Sequence, residues 1–226
     1  MKYFRFARNA LVPIKESISN HGLSKILFER SCKQARKRYA ELGGEKSITV
    51  LAPNCIGGEI YHFLGLQFNS PLINASMKRL DFIKFCLSID KYLELDPYIS
   101  GHSYNGSPIL TLEGPGVDRI DLRFVHDTDD KIVIDNWEKR KKRIIRNNCF
   151  IIMDNKDEHG KPLPDDIVEQ INKFDCKKKI IFVANDTDLP NSKKIGVHQI
   201  QRYNYKKING LYGFQNFFDF VSFLAR

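Results

Sequence analysis

The sequence predicts an α/β fold: a mainly parallel sheet with helices on both faces, preceded by a basic helical N-terminal arm. Three observations carry this. Short, β-branched apolar runs at Ser47–Ala52, Cys149–Met153 and Lys179–Ala184 read as strands buried on both faces. Segments of helical period alternate with them, the order that builds a covered parallel sheet. Residues 1–45 differ from the rest in their density of Arg and Lys.

The elements follow in chain order. Phe4, Leu11, Ile14 and Ile18 recur at helical spacing among Arg5, Arg8 and Lys15, with a break at Pro13. A second helical stretch runs from about Ser24 to Leu42, with Lys33, Arg36, Lys37 and Arg38 on its polar side, and Gly43-Gly44 closes it. A basic amphipathic segment of this kind suits an anionic membrane surface, or packing on its own domain or a partner subunit. After the first strand, Pro53 to Gly58 form a strand-to-helix loop, and a helix starts near Gly58. Residues 68–74 are irregular or extended, and 78–93 read as one amphipathic helix with Leu80, Phe82, Ile83, Phe85, Cys86, Leu87 and Ile89 on its apolar face. Residues 96–118 are rich in Gly and Pro, with a short strand at Ile109–Leu112. Arg119 to His126 alternates polar and apolar, the pattern of a strand with one exposed face. Helices are expected at about 130–146, at 164–174 behind Pro164, and at 211–225, with a weak strand at 195–200. The domain reading is an arm over 1–45 and a single α/β domain over 46–226.

The chain has 226 residues, 42% of them hydrophobic and 28% charged, as in an ordinary globular protein. A net charge of +9 favours polyanionic or phosphorylated partners, or belongs to a solvated basic face. Five widely spaced cysteines, Cys32, Cys55, Cys86, Cys149 and Cys176, form no Cys-x-x-Cys pair. They imply neither a disulfide framework nor a zinc site, and they fit a reducing, cytoplasmic compartment. Cys55, Cys86 and Cys149 lie in apolar stretches and read as buried thiols. The N-terminus lacks the pattern of a signal peptide and no apolar run reaches spanning length. Gly-x-Ser-x-Gly, His-Glu-x-x-His and RNA-binding aromatic motifs are also absent, which lowers hydrolase, metalloprotease and nucleic-acid readings.

Chemistry is expected in three places. The first is Asn54 to Leu66, in the loop after a strand, where ligands bind in parallel sheets. Asn54, Gly57 and Gly58 offer a close-approach loop at a helix N-terminus, and Glu59 and His62, three residues apart, share a helix face as a carboxylate base and an imidazole. The plainer reading is a tight turn with a first-turn carboxylate. The second is His126 at a strand end with Asp127 and Asp129, followed by a helix carrying Trp137, Arg140 and Arg143. An arginine fork suits phosphate oxygens, and a Trp beside it suits a base or sugar ring, or belongs to the core. The third is a pair of acidic strand-end loops, Asp154, Asp157 and His159, then Asp186 and Asp188. They have the shape that holds Mg²⁺ or Mn²⁺ against a nucleotide diphosphate, or that simply caps turns.

The order NCIGGEIYHFLGLQFNSPLIN at 54–74, DFIKF at 81–85, FVH at 124–126, and WEKRKKRI at 137–144 followed by FIIM resembles a bacterial exopolysaccharide-biosynthesis family, Domain of Unknown Function nineteen-nineteen. The resemblance spans about residues 47–185. The family pattern places an aromatic after the strand histidine, where this chain has Asp127. The resemblance implies site roles for Asn54, Gly57, Gly58, Glu59, His62, Asn74, Asp81, His126, Trp137, Arg140 and Arg143. It also implies a setting in capsule and surface-polysaccharide synthesis. The expected activity is a glycosyltransferase moving a sugar from a nucleotide-sugar donor to a lipid-linked glycan acceptor at the inner face of the plasma membrane. Glu59, His126 or His62 would act as base. The alternatives are an acyl- or acetyltransferase on the same polymer and a non-catalytic partner of the assembly machinery. No metal ligand is assigned, and no nucleic-acid partner is expected.

Overall fold

The computed structural model describes residues 21–155, 157, 159–184, 199–203 and 219–225. Its elements are α1 (His21–Glu41), β1 (Thr49–Leu51), α2 (Ile56–Leu64), β2 (Ala75–Ser76), α3 (Arg79–Leu87), α4 (Ile89–Glu94), β3 (Tyr98–His102), β4 (Pro108–Gly114), β5 (Val117–Phe124), α5 (Asp130–Lys141), β6 (Cys149–Asp154), α6 (Asp165–Gln170), β7 (Lys178–Ala184), β8 (Gln199–Tyr203) and α7 (Phe220–Ala225). The chain divides into two compact units. One comprises Ser47–Glu59 and Phe68–Lys206, the other Met1–Lys46, Ile60–Gln67 and Lys207–Arg226.

The larger unit holds two four-stranded sheets. In the order β1-β6-β7-β8 every pairing is parallel, with Val50 opposite Phe150 and Ile152 opposite Ile180. The second sheet, β2-β5-β4-β3, is antiparallel, with Leu110 opposite Leu122. The expectation of a mainly parallel sheet is therefore corrected: half of the strands are antiparallel. The physical reason lies in residues 108–124. Pro115-Gly116 joins β4 to β5 as a two-residue hairpin, Gly114 pairing with Val117, and Gly116 takes the positive φ of 76° that such a turn requires. Alternating burial along β5, with Ile120, Leu122 and Phe124 inside, leaves its other face toward solvent. The edge strand β3, with a register shift between Ile99 and Gly101, lies within the stretch expected to be loop.

The helix expected over 78–93 is two helices. Ser88 breaks it at φ −125°, ψ 32°. Phe82, Ile83, Phe85, Cys86 and Ile89 are buried as expected, while Leu80 and Leu87 are exposed. The core between the layers includes Leu51, Phe85, Leu112, Phe124, Trp137 and Ile151. Buried Thr49 ties β1 to two loops: its hydroxyl donates to the Asn69 carbonyl (3.2 Å) and accepts from the Ile145 amide (2.7 Å).

The described part of the smaller unit is α1, the chain from Ile60 and α7. α1 is a member of this helical unit, so the described part of the expected arm has fixed partners. Arg36 donates to the carbonyls of His62 (3.0 Å) and Phe63 (3.2 Å) in the last turn of α2, the first of which also accepts the Gly65 amide (3.2 Å). Gly65 follows that end at φ +67°. The positive φ favours glycine there, and a Cβ would meet Arg36 Nε at 2.7 Å and push its guanidinium aside. Arg38 forms a forked pair with Asp219 (2.6 and 3.3 Å) just before α7. With Lys37 paired to Glu41 at 3.7 Å, three of the four cations read as a membrane-facing stripe have partners within the unit. Arg5, Arg8 and Lys15 lie outside the described residues, as do Asp186 and Asp188. Among the described residues no helix is long and apolar enough to cross a membrane.

Candidate functional site

Three segments of the larger unit are laced together by backbone bonds where β1 and β5 end. The Met77 amide donates to the Pro53 carbonyl (3.0 Å), and the Val125 amide donates to the Asn74 carbonyl (3.0 Å). The loop after β1, the entry to β2 and the turn after β5 are thereby held side by side. Asn54 caps α2, its Oδ1 accepting from the Ile56 amide at 3.1 Å. Gly58 lets the helix start close to the second segment: a Cβ on it would lie 3.3 Å from Ile73 Cγ2 and 3.8 Å from Asn74 Oδ1. Asn74 itself has φ 66°, a left-handed conformation uncommon outside glycine and tolerated by asparagine.

Side chains converge on this frame. Cys55 Sγ lies 3.4 Å from His126 Nε2. β5 stops at Phe124, so His126 stands two residues further on, exposed in the turn. The expected burial of Cys55 is corrected, because it is half-buried, unlike fully buried Cys86 and Cys149. Burial raises the Cys55 thiol pKa, the Glu59 carboxylate raises it further, and the Arg123 guanidinium opposes both. Glu59, half-buried in the first turn of α2, is pushed up by desolvation to about 7, the range of a general base or acid at neutral pH. Asn74 Nδ2 donates to Asp127 Oδ2 at 3.5 Å. Arg140 reaches in from α5. Its Nη1 donates to the Ile73 carbonyl (3.2 Å) and its guanidinium lies over the Phe68 ring, 5.6 Å from the centroid. Burial lowers its pKa from the ordinary value, Asp127 acts the other way, and Arg143 adds to the lowering.

Of the residues expected to carry chemistry, Asn54, Gly57, Gly58, Glu59, Asn74, His126 and Arg140 belong to this neighbourhood. Cys55, Arg123 and Asp127 join them. The position of Cys55, directly before a helix at a strand end, is the signal that could have found it. The others have separate places. His62 is exposed, stacked on Phe28 at 6.3 Å in the smaller unit. Asp81 lies in the first turn of α3, and its charge contributes, after burial and Asp118, to holding the Tyr92 hydroxyl up at about 12. Arg143 is exposed at the end of α5. Trp137, expected to bind a ring, is fully buried and packs edge-on to Phe85 at 6.2 Å, so the core occupies the face a ligand would need. Asp129 caps α5, accepting from the Ile132 amide at 3.0 Å. Asp154 is held by Arg79 through two bonds of 2.9 and 2.7 Å, and Asp157 accepts the His159 and Lys161 amides in a turn. Among the described residues no group of three His, Cys, Asp or Glu side chains is arranged to hold a metal ion.

Fold and site together define a mixed α/β protein with a thiol, an imidazole, a carboxyl and a guanidinium gathered at strand ends. The chain belongs to the family described as "Domain of unknown function (DUF1919)", whose model matches residues 26–225. The match takes in most of α1 and all of α7, beyond the motif-bearing stretch of about residues 47–185. A protein of Haemophilus influenzae (strain ATCC 51907 / DSM 11121 / KW20 / Rd), called "Uncharacterized protein", is 26% identical over 137 residues. The match covers 61% of this chain and 62% of that one, so the chain spans less than two thirds of its relative's length.

Proposed function

We propose that this protein is a transferase of bacterial surface-polysaccharide biosynthesis that moves an activated group onto a hydroxyl of a lipid-linked glycan. The supporting observation is the gathering of Glu59, His126 and half-buried Arg140 around one strand-end frame. Glu59 and His126 can each take a proton from an attacking hydroxyl. Arg140, fixed through Ile73 and Phe68, is placed to hold a negatively charged part of the donor. The surface-polysaccharide setting comes from the family resemblance. In this proposal the basic N-terminal segment brings the enzyme to the anionic inner leaflet where a lipid-linked acceptor resides.

The donor class follows from what the site contains. A nucleotide-sugar donor rested on an Arg140–Arg143 fork with Trp137 beneath a ring. Trp137 is in the core, which takes the ring platform away from Arg140. The Cys55–His126 contact favours the second donor class, an activated acyl group.

Thermal melting with acyl thioesters and nucleotide sugars, with and without Mn²⁺, tests this reading. An acyl thioester at a hundred times its Kd should stabilise the protein by about 2.7 kcal/mol by mass action, and Arg140→Ala should remove the shift. Stabilisation by a nucleotide sugar alone would move the proposal back to glycosyl transfer. No shift with any donor, and unchanged polymer from cells carrying Arg140→Ala, would end it.

A further inference from the structure

We propose that Cys55 is a catalytic nucleophile, taking the acyl group of an acyl-thioester donor as a covalent thioester with His126 as its base. This rests on the transferase reading above and assigns it a chemical intermediate. A cysteine with no base beside it would be ordinary packing. Cys55 differs in three respects. Its Sγ meets His126 Nε2 at 3.4 Å, hydrogen-bond range for sulfur. It stands where β1 has ended and α2 begins, followed by Gly57 and Gly58, whose first-turn amides have no carbonyl within the helix to serve, while the Ile56 amide is given to Asn54 Oδ1. Glu59 and Arg123 are close enough to act on the thiol by charge. Burial keeps the thiol protonated near neutral pH, so its reactivity depends on a base, and His126 is the base in contact.

The steps balance without an oxidant or reductant. His126 Nε2 takes the Cys55 thiol proton as Sγ forms a bond to the donor's carbonyl carbon. The carbonyl oxygen becomes an oxyanion, and the amides at the start of α2 supply dipoles of the correct sign. The donor's carbon–sulfur bond breaks, and its leaving thiolate takes the proton back from His126. The enzyme then carries the acyl group on Cys55. An acceptor hydroxyl gives its proton to His126 and attacks the thioester. Cys55 leaves and regains that proton, and an O-acylated glycan is released.

The full chain, incubated with acetyl-CoA and separately with p-nitrophenyl acetate, is digested and mapped by mass spectrometry. One acetyl group should appear on Cys55 and be absent from Cys55→Ala. His126→Gln should slow its appearance by about a hundredfold at an unchanged melting temperature. Cys176→Ala, altering the other half-buried thiol, should label at the wild-type rate. If Cys55→Ala fails to fold, Cys55→Ser replaces it and should not form the acetyl thioester. Acetyl on other cysteines only, none on Cys55 with either probe, or full-rate labelling in His126→Gln would overturn the proposal. Its failure is separable from that of the transferase reading. If Cys55→Ala keeps donor-dependent stabilisation and normal polymer while Arg140→Ala loses both, the transferase stands and transfers directly.

Discussion

The loops after β1 and after β6 make an instructive pair. Both follow strands of the parallel sheet, and the sequence puts a carboxylate and a histidine behind each: Glu59 and His62 behind β1, Asp157 and His159 behind β6. After β6, Arg79 grips Asp154 in a two-bond fork, and the Asp157 carboxylate accepts two backbone amides of its own turn. Those acids are committed to structure. After β1, burial raises the Glu59 carboxyl to about 7, and the Cys55 thiol touches an exposed imidazole. A folded chain spends its polar groups on satisfying one another wherever stability is the only demand. Groups held with shifted pKa values in mutual reach are therefore the better guide to chemistry than acidic content alone.

The comparison can be broken at several points. The largest effect on stability is expected from Arg79→Ala. Both members of the pair are mostly buried, with side-chain exposures of 19% and 11%, and removing one strands the other's charge. The loss should be about 3 kcal/mol by urea unfolding, with Cys55 labelling retained in protein that remains folded. Asp129→Ala removes the cap of α5, the helix that carries Arg140, and should lower stability by about 1 kcal/mol in the same measurement. Glu59→Gln should act least at acid pH and increasingly toward neutral. Between the ordinary 4.5 and about 7 the folded state holds a proton that the unfolded chain has lost, so stability falls as pH rises through that window. The glutamine variant lacks this dependence and should melt above the wild type at pH 8 and close to it at pH 4. Equal melting at both values would show that Glu59 is not desolvated.

Much of the fold was legible because its signals are local. β1, β6 and β7 are each built on an apolar run, Val50-Leu51, Cys149 to Met153 and Ile180 to Ala184, and the Pro-led α6 begins where expected. The sheet type was not legible. A strand with one exposed face, such as β5, belongs to an antiparallel sheet as readily as to a parallel edge, and β2 is only two residues long. β3, Tyr98-Ile99-Ser100-Gly101-His102, lacks an apolar run because it is an edge strand. In the neighbourhood at the strand ends, Glu59, His126 and Arg140 stand out in the sequence through their positions at strand ends and on the following helix, and Asn74 through the family resemblance alone. Trp137 misled because its neighbours are cationic, yet Val133, one turn earlier, is also buried and marks the stripe that faces the core. Cys55 was hidden for the opposite reason: a thiol among apolar residues reads as packing, and its contact with His126 joins residues 71 apart in sequence.

The proposed chemistry stands on Cys55 lying in contact with His126 and under the charge of Glu59. The pH dependence of Cys55 alkylation by iodoacetamide, followed by peptide mapping, tests it most directly. In the wild type the reactivity midpoint should lie above the ordinary thiol value of 9.0, and in Glu59→Gln it should move down, because a charge that disfavours the thiolate has been removed. A wild-type midpoint at or below the ordinary value, or one that Glu59→Gln leaves in place, would contradict the account.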